Sequence, residues 1–239
     1  MKQIISLKQL SFYFFIIFIS ACSSSSSLQK KYTSQKDYWE KEVSELIALD
    51  SKESYPDNAI LFIGSSSIRM WKSIHEQMKP YAAIRRGYGG ASYSDLIHFT
   101  ERLVSPHKIA GIGIFVANDI RAQPDDKDPK EVLALFQEVV RLSRIHHPSI
   151  PIFSIAVTPT PSRWNAWQKI NEANLLIKDY CEKTQNLYFI DTVDAFLTKD
   201  THEPDTSLFI NDMLHQNAKG YVLWSTIIKS EIAKVIKDH

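Results

Sequence analysis

Five short, continuously apolar segments alternate with longer helical patterns, and this alternation is the feature that most constrains the fold. The apolar segments are Ala59–Ile63, Ala82–Arg85, Ile112–Val116, Pro151–Val157 and Leu187–Ile190. A strand that is apolar on both faces has to be covered on both faces, which is typical of parallel sheets. The longer segments between the strands would supply the covering helices.

Apolar residues at helical spacing mark residues 132–145, 170–177 and 221–235 as helices. An entry helix is predicted over residues 32–49, with Tyr38, Val43, Leu46 and Ile47 on its buried face. At 239 residues, 44% of them hydrophobic, the chain is long enough for one sizeable core. The sequence therefore predicts a single α/β domain, a three-layer α/β/α sandwich around a parallel sheet of about five strands.

The N-terminus has the pattern of an export signal. Lys2 and Lys8 precede the apolar run Leu10–Ile19, which is shorter than the roughly 20 residues that a bilayer-spanning helix needs. We interpret residues 1–21 as a signal peptide. The residues Ile19-Ser20-Ala21-Cys22, followed by a serine run, resemble the lipobox of bacterial lipoproteins.

That resemblance implies that Cys22 becomes a lipidated N-terminus. Residues 22–31 would then be a serine-rich tether and residues 32–239 the functional domain, lipid-anchored in the bacterial cell envelope and facing the periplasm or the exterior. The alternative is an ordinary secretory signal with a chance cysteine. Cys181 would be the one remaining thiol, which excludes an intramolecular disulfide. Its place in an amphipathic pattern predicts a core residue.

Charge argues against nucleic acid as a partner. Residues 1–21 contain two lysines and no acidic residue, so the chain without them has 26 basic and 27 acidic side chains and a net charge of −1. Such a balance provides neither the basic surface that nucleic acid requires nor a polybasic patch for anionic lipid. Contact with a membrane is therefore expected through the lipid alone.

Polar and glycine-rich segments follow the predicted strands, at the edge of a parallel sheet where ligands bind. They are Gly64–Ser67, Gly87–Gly90, Ala117–Asp119 and Thr158–Pro161, and Asn211–His215 precedes the last helix. Together they offer a hydroxyl, glycine backbone donors, an amide, and a carboxylate beside an imidazole. Ester hydrolysis by a serine needs these groups: a nucleophile, a base, an acid that orients the base, and oxyanion donors.

Four of these segments, in their order, resemble the four blocks of the SGNH hydrolases, the superfamily of GDSL esterases and lipases. The matching blocks are Phe62–Ser67, Arg86–Ala91, Val116–Asp119 and Asp212–His215, within a match over about residues 59–235. The resemblance implies the flavodoxin-like SGNH hydrolase fold and an activity on carboxylic esters, either small molecules or acylated glycans. It implies no metal and no organic cofactor.

Carried over residue by residue, the resemblance makes Ser66 the nucleophile, His215 the base and Asp212 the acid that orients it. The oxyanion hole would consist of the backbone N–H groups of Ser66 and Gly90 and the side-chain amide of Asn118. The rival α/β-hydrolase pattern needs Gly-x-Ser-x-Gly around the nucleophile. The segment Gly64-Ser-Ser-Ser-Ile68 lacks the second glycine, which favours the SGNH interpretation.

Two positions depart from the family pattern. Ser65 replaces an aspartate outside the triad, and Val116 stands where the third block usually has glycine. Because a β-branched residue restricts the backbone, Asn118 is the transferred residue whose placement the family pattern fixes least. Asn118 is alternatively a turn residue. Ser66 is alternatively a helix N-cap, His215 a helix-start residue, and Gly90 a turn residue with positive φ.

Arg163, Trp164 and Trp167 follow the fourth strand and are the predicted substrate-binding residues. An aromatic wall with a cation would suit a sugar or a carboxylate-bearing ester; the alternative is packing at a helix start. The other histidines lack ligand-like spacing, so no metal site is expected. Two alternative functions use the same fold: an acyltransferase with the same triad, and a surface-binding lipoprotein without turnover. No oligomeric state is predicted.

Overall fold

The computed structural model describes residues 27–33 and 36–237. Five strands form one parallel sheet in the order β2-β1-β3-β4-β5. They are β1 Ala59–Gly64, β2 Ala83–Gly87, β3 Ile109–Phe115, β4 Ile152–Ile155 and β5 Leu187–Ile190. All neighbouring strands run parallel, with Gly64 of β1 opposite Gly87 of β2 and Phe115 of β3. After β1 the chain adds β2 on one side and β3 on the other, so a ligand is expected to bind outside the carboxyl ends of β1 and β3, where the strand order switches.

Within residues 36–237, seven α-helices connect and cover the strands. They are α1 Lys36–Ala48, α2 Ser66–Met70, α3 Ile74–Gln77, α4 Tyr93–Val104, α5 Pro129–His146, α6 Trp167–Glu182 and α7 Ala218–Ala233. Short 3-10 turns lie at Leu49–Ser51, Pro161–Ala166, Asp194–Phe196 and Thr206–Leu208. None of the described helices is both long enough and apolar enough to cross a bilayer.

The side chains of β1 show why both faces of the sheet are covered. All six β1 residues are buried. Leu61 and Ile63 belong to a core formed with α1, α4, α5 and α6, whereas Ile60 and Phe62 belong to a second core with α2, α3 and α7. Alternate residues of a strand point to opposite faces, so a continuously apolar strand supplies both cores. The predicted three-layer sandwich is confirmed.

The entry helix differs from its prediction in extent and in one face residue. It begins at Lys36 and ends at Ala48. Val43 is fully buried, whereas Tyr38, predicted on the same face, is 78% exposed. Five residues correspond to about 140° around a helix, so Tyr38 points away from Val43. Trp39, one turn before Val43, packs against the core instead.

The folded part of the chain begins before residue 32. Residues 27–31, which were predicted to belong to the tether, are helical. Leu28 packs against the core, and Gln29 Nε2 donates a hydrogen bond to the Ile97 carbonyl at 3.2 Å. The signal peptide and Cys22 lie outside the described residues. Cys181 is a core residue as predicted, and burial raises the pKa of its thiol to about 12.

Candidate active site

A glycine turn at the end of β1 presents the first site residue. Gly64 has φ of +126°, and a Cβ there would lie 1.9 Å from the Phe115 carbonyl oxygen of neighbouring β3. The next residue, Ser65, donates its N–H to that same carbonyl at 2.8 Å. The chain can therefore turn directly from β1 into α2, of which Ser66 is the first residue. Ser65, not Ser66, occupies the N-cap position.

Ser66, His215 and Asp212 form a continuous chain of hydrogen bonds. Ser66 Oγ lies 2.9 Å from His215 Nε2, and His215 Nδ1 lies 2.6 Å from Asp212 Oδ2. An ionised carboxylate only accepts hydrogen bonds, so Nδ1 carries the proton and Nε2 is free to accept the serine hydroxyl. This is the arrangement in which an imidazole can withdraw a serine proton.

Hydrogen bonds within its own loop hold Asp212 in place and ionised. Its Oδ1 accepts the backbone N–H groups of Leu214 and His215, each at 2.9 Å. Burial raises the pKa of Asp212, but the hydrogen bonds from His215 and Leu214 outweigh this effect and leave the pKa below its usual value. Met213 adopts the left-handed conformation with φ of 56°, which lets this short loop fold back on itself.

The Asp95 carboxylate supports the glycine loop after β2. Asp95 accepts the Tyr88 hydroxyl at 2.6 Å and the Ser92 backbone N–H at 2.9 Å. These two residues bracket Gly89 and Gly90. Burial raises the pKa of Asp95 to about 6, against the opposing effect of its hydrogen bonds from Ser92 and Tyr88. Asp95 was not among the predicted site residues, although Ser92-x-x-Asp95 is a recognisable helix-capping pattern.

Two backbone donors of this region remain available. Gly89 donates its N–H to Glu42 of α1 at 3.0 Å. The N–H groups of Ser66 and Gly90, in contrast, meet no hydrogen-bond acceptor among residues 27–33 and 36–237. Gly64 is the one described glycine with positive φ, so the alternative of Gly90 as a positive-φ turn residue does not apply. Both predicted backbone donors of the oxyanion hole are therefore unoccupied by protein groups.

Asn118 lies at the end of β3, between the glycine loop and Arg163. Its Nδ2 donates to the Ala91 carbonyl at 2.9 Å, and its Oδ1 accepts Arg163 Nη2 at 2.7 Å. Val116, the departure from the family pattern, is buried in the core, and Asn118 nevertheless reaches the loop that carries Gly90. Asp119 anchors the segment by accepting the Tyr93 backbone N–H at 2.9 Å.

Arg163 is the one predicted substrate-binding residue that the structure places at Ser66. Burial lowers the pKa of its guanidinium to about 10, and the neighbouring charge of Arg121 contributes. Arg163 is thus protonated at neutral pH. Trp164 and Trp167 stack on each other, with ring centroids 5.8 Å apart, and Trp167 packs against the core. Neither lines the cavity at Ser66, so the structure favours helix-start packing for both tryptophans.

Two cavities flank the predicted oxyanion donors. A small one of about 20 Å³ is lined by Ser66, Asn118, Thr158, Thr160, Arg163 and His215, among others. A wider one of about 270 Å³ is lined by Tyr38, Trp39, Gly90, Asn118, Arg121 and Lys127, among others. Within the described ranges, no cluster of three or more His, Cys, Asp or Glu side chains could hold a metal ion.

Comparison with solved structures identifies the architecture. A GDSL-like lipase from Bacteroides thetaiotaomicron VPI-5482 matches with a TM-score of 0.68 and 17% identity, covering 81% of this chain and 98% of its own. A lipase/acylhydrolase from Enterococcus faecalis matches with a TM-score of 0.58 and 20% identity, covering 76% and 98%. A carbohydrate esterase family 3 protein from Talaromyces cellulolyticus matches with a TM-score of 0.60 and 14% identity, covering 76% and 99%.

These similarities establish the SGNH hydrolase fold, including its strand order, for this chain. These three structural neighbours are a GDSL-like lipase, a lipase/acylhydrolase and a carbohydrate esterase. No protein-family model and no curated protein sequence matches the chain. At identities of 20% or less, the likeness concerns architecture, and chemistry has to be argued from this chain's own residues.

Proposed function

We propose that this chain is a serine esterase that hydrolyses carboxylic esters through an acyl-enzyme on Ser66. The observation that carries the proposal is the hydrogen-bonded chain from Ser66 Oγ through His215 to Asp212, with distances of 2.9 and 2.6 Å. A free hydroxyl is a weak nucleophile at neutral pH, and a correctly oriented imidazole removes that obstacle. The fold shared with GDSL-like esterases and lipases supports the same reaction class.

In the proposed acylation step, Ser66 Oγ attacks the ester carbonyl carbon while His215 Nε2 takes the hydroxyl proton. The carbonyl π electrons move to the oxygen, which the Ser66 and Gly90 N–H groups and the Asn118 amide would stabilise. Collapse of this intermediate breaks the bond to the alcohol oxygen, which receives the proton from His215. Asp212 keeps the imidazole in the required tautomer and stabilises its positive charge.

Deacylation repeats this chemistry with water as the nucleophile. His215 takes a proton from a water molecule while the water oxygen attacks the acyl carbon. The same donors would stabilise the resulting oxyanion. Collapse releases the carboxylic acid and returns the proton to Ser66 Oγ. An acyltransferase would use a sugar hydroxyl in place of water, so product analysis in the presence of a glycan acceptor separates the two reactions.

The cavity beside Ser66 supports a small acyl group. Its volume of about 20 Å³ is close to what one water molecule needs, which suits an acyl group as small as acetyl. The wider cavity next to Gly90 combines the aromatic side chains of Tyr38 and Trp39 with charged groups. That combination suits a sugar portion of the ester better than an alkyl chain, and we infer acetylated glycans as the preferred substrates.

Acyl-chain length tests this size limit. We expect kcat/KM for p-nitrophenyl acetate to exceed that for p-nitrophenyl octanoate by about tenfold or more, because each added methylene must be accommodated against packed side chains. The measurement is initial-rate hydrolysis across the acetyl, butyryl and octanoyl esters, corrected for the spontaneous rate of each. Equal or higher kcat/KM for octanoate would exclude the small acyl pocket.

We further propose that Cys22 anchors the protein to a membrane through lipid. The support is the lipobox-like sequence Ile19-Ser20-Ala21-Cys22 after an apolar run of signal-peptide length. In cell fractionation, Cys22→Ser is expected to move most of the protein from the membrane to the soluble fraction. Cys181→Ser is the matched control and should stay with the membrane, because that thiol is buried. Membrane retention of Cys22→Ser would refute the anchor.

A further inference from the structure

Asn118 is the one proposed oxyanion donor that belongs to a side chain, so the backbone alone does not set its direction. The terminal torsion of asparagine is broad, and rotation about it exchanges the positions of the oxygen and the nitrogen. Only the Nδ2 group can donate to an oxyanion, whereas Oδ1 would repel it. A functional oxyanion hole therefore needs a neighbouring group that fixes which of the two atoms faces the substrate oxygen.

Arg163 is that neighbour. Its Nη2 donates to Asn118 Oδ1 at 2.7 Å, and its Nη1 donates to the carbonyl oxygen of Ala117, which belongs to the peptide bond before Asn118. A guanidinium has donors only, in a rigid planar fork. It can therefore pair with Oδ1 but not with Nδ2, and one group holds both the backbone and the side chain at position 118.

The opposite end of the amide points toward the glycine loop. One Nδ2 hydrogen goes to the Ala91 carbonyl, at an N–O distance of 2.9 Å, directly after Gly90. No acceptor for the second Nδ2 hydrogen occurs among the described residues. With Oδ1 held by Arg163, that hydrogen is the side-chain donor left for a substrate oxygen.

The charge of Arg163 acts in the same direction. The guanidinium is largely buried at the cavity beside Ser66. Within residues 27–33 and 36–237, no carboxylate forms an ion pair with it. Asp126 acts on this charge without forming an ion pair, so the positive charge that faces Asn118 Oδ1 is shielded from water and only partly offset. Its contact with Oδ1 also draws electron density from the amide and makes the Nδ2 hydrogens better donors.

We propose that Arg163 is a positioning residue of the oxyanion hole, which orients and polarises the Asn118 amide. This role rests on the proposed esterase function and replaces the expectation that Arg163 binds the substrate. It also accounts for a precise Asn118 placement despite Val116, because the constraint comes from a contact 45 residues away in the chain and not from a glycine before the amide.

A double-mutant cycle on p-nitrophenyl acetate tests whether Arg163 acts through Asn118. We expect Asn118→Ala to lower kcat by about 100- to 1,000-fold and Arg163→Met by about 10- to 100-fold, with KM changed less than about threefold. In the Asn118→Ala background, Arg163→Met should lower kcat by less than about threefold, because its target is already gone. Arg163→Lys keeps the charge but not the fork, and should lie between wild type and Arg163→Met.

Arg144→Met is the matched control. Arg144 is another partly buried arginine that donates to backbone carbonyls, those of Ile150 and Asn186, but it lies at the opposite end of the sheet. Its loss should lower the melting temperature as much as Arg163→Met does, while leaving kcat unchanged. Equal losses of kcat in both variants would show that Arg163 contributes only stability. Additive losses in the cycle, or an effect on KM confined to carboxylate-bearing esters, would also overturn the proposal.

A second measurement needs no turnover. The side-chain amide of Asn118 gives a ¹⁵N–¹H NMR signal pair, assigned by its loss in Asn118→Ala. We expect Arg163→Met, but not Arg144→Met, to shift this pair and speed its exchange with water. Unchanged signals would refute the contact even in an active enzyme. Shifted signals in a protein without Ser66-dependent hydrolysis would instead refute the proposed function and leave the contact intact.

Discussion

Replacing Ser66 with alanine should lower the rate of p-nitrophenyl acetate hydrolysis by the full-length protein roughly a thousandfold or more. The variant loses the one atom that His215 Nε2 contacts at 2.9 Å and that forms the covalent bond to the acyl group. The backbone N–H of residue 66 remains, so the residual rate would report what the oxyanion donors and binding achieve without a nucleophile. The measurements are kcat/KM and the melting temperature. Only the melting temperature should stay unchanged.

Ser73→Ala provides the control for this experiment. Ser73 is an exposed serine at the start of the next helix, and its side chain makes no capping hydrogen bond. Equal, near-background rates for wild type, Ser66→Ala and Ser73→Ala would leave two explanations, a strict natural substrate or a binding protein without turnover. Labelling with a fluorophosphonate probe decides between them, because an activated Ser66 reacts with the probe whatever its natural ester. Equal rates well above background would refute Ser66 as the nucleophile.

Gly64→Ala is expected to lower the free energy of unfolding by about 4 kcal/mol or more, at the upper end of single-residue effects. The native φ of +126° is a region that L-residues rarely adopt. The new Cβ would also lie 1.9 Å from the Phe115 carbonyl oxygen, which is a rigid backbone atom in the centre of the sheet. Urea unfolding followed by tryptophan fluorescence measures this change.

Gly90→Ala tests whether the loss of stability depends on the local geometry at Gly64 or follows from replacing any glycine. A Cβ at Gly90 would meet only the Trp39 ring, at 3.7 Å, which is ordinary van der Waals contact. The free energy of unfolding should therefore change by less than about 1 kcal/mol. If Gly64→Ala and Gly90→Ala were equally stable, the tight turn between β1 and α2 would not require glycine, contrary to the structure.

The sheet could be predicted from sequence because each strand carries its own signal. Strands such as β1 are apolar at every position, and no other common arrangement buries both faces of so short a segment. Positions on the entry helix were harder, because Tyr38 and Trp39 are both aromatic and adjacent. Only the actual phase of the helix shows that Trp39 faces the core and Tyr38 the solvent. When two adjacent residues are both aromatic, a short apolar pattern does not determine which of them faces the core.

The parts of the candidate site also differ in how far local sequence predicts them. Asp212 and His215 are three residues apart, so a single loop brings them together and local sequence is sufficient to pair them. Arg163 and Asn118 are 45 residues apart and follow different strands. Both could be placed at the same edge of the sheet from sequence. Their direct contact depends on how the two side chains pack within the turn, and no pattern along the chain predicts that packing.

The separation of Ser66 from His215 has a consequence for the order in which the site assembles. The two residues lie 149 positions apart, and His215 lies just before α7. A ribosome makes the chain from its N-terminus. The proposed nucleophile therefore emerges early, and its proton acceptor among the last parts of the domain. An unfinished chain that stops before residue 215 carries the serine without its proposed base, so the proposed activation of Ser66 has to wait until His215 has been made.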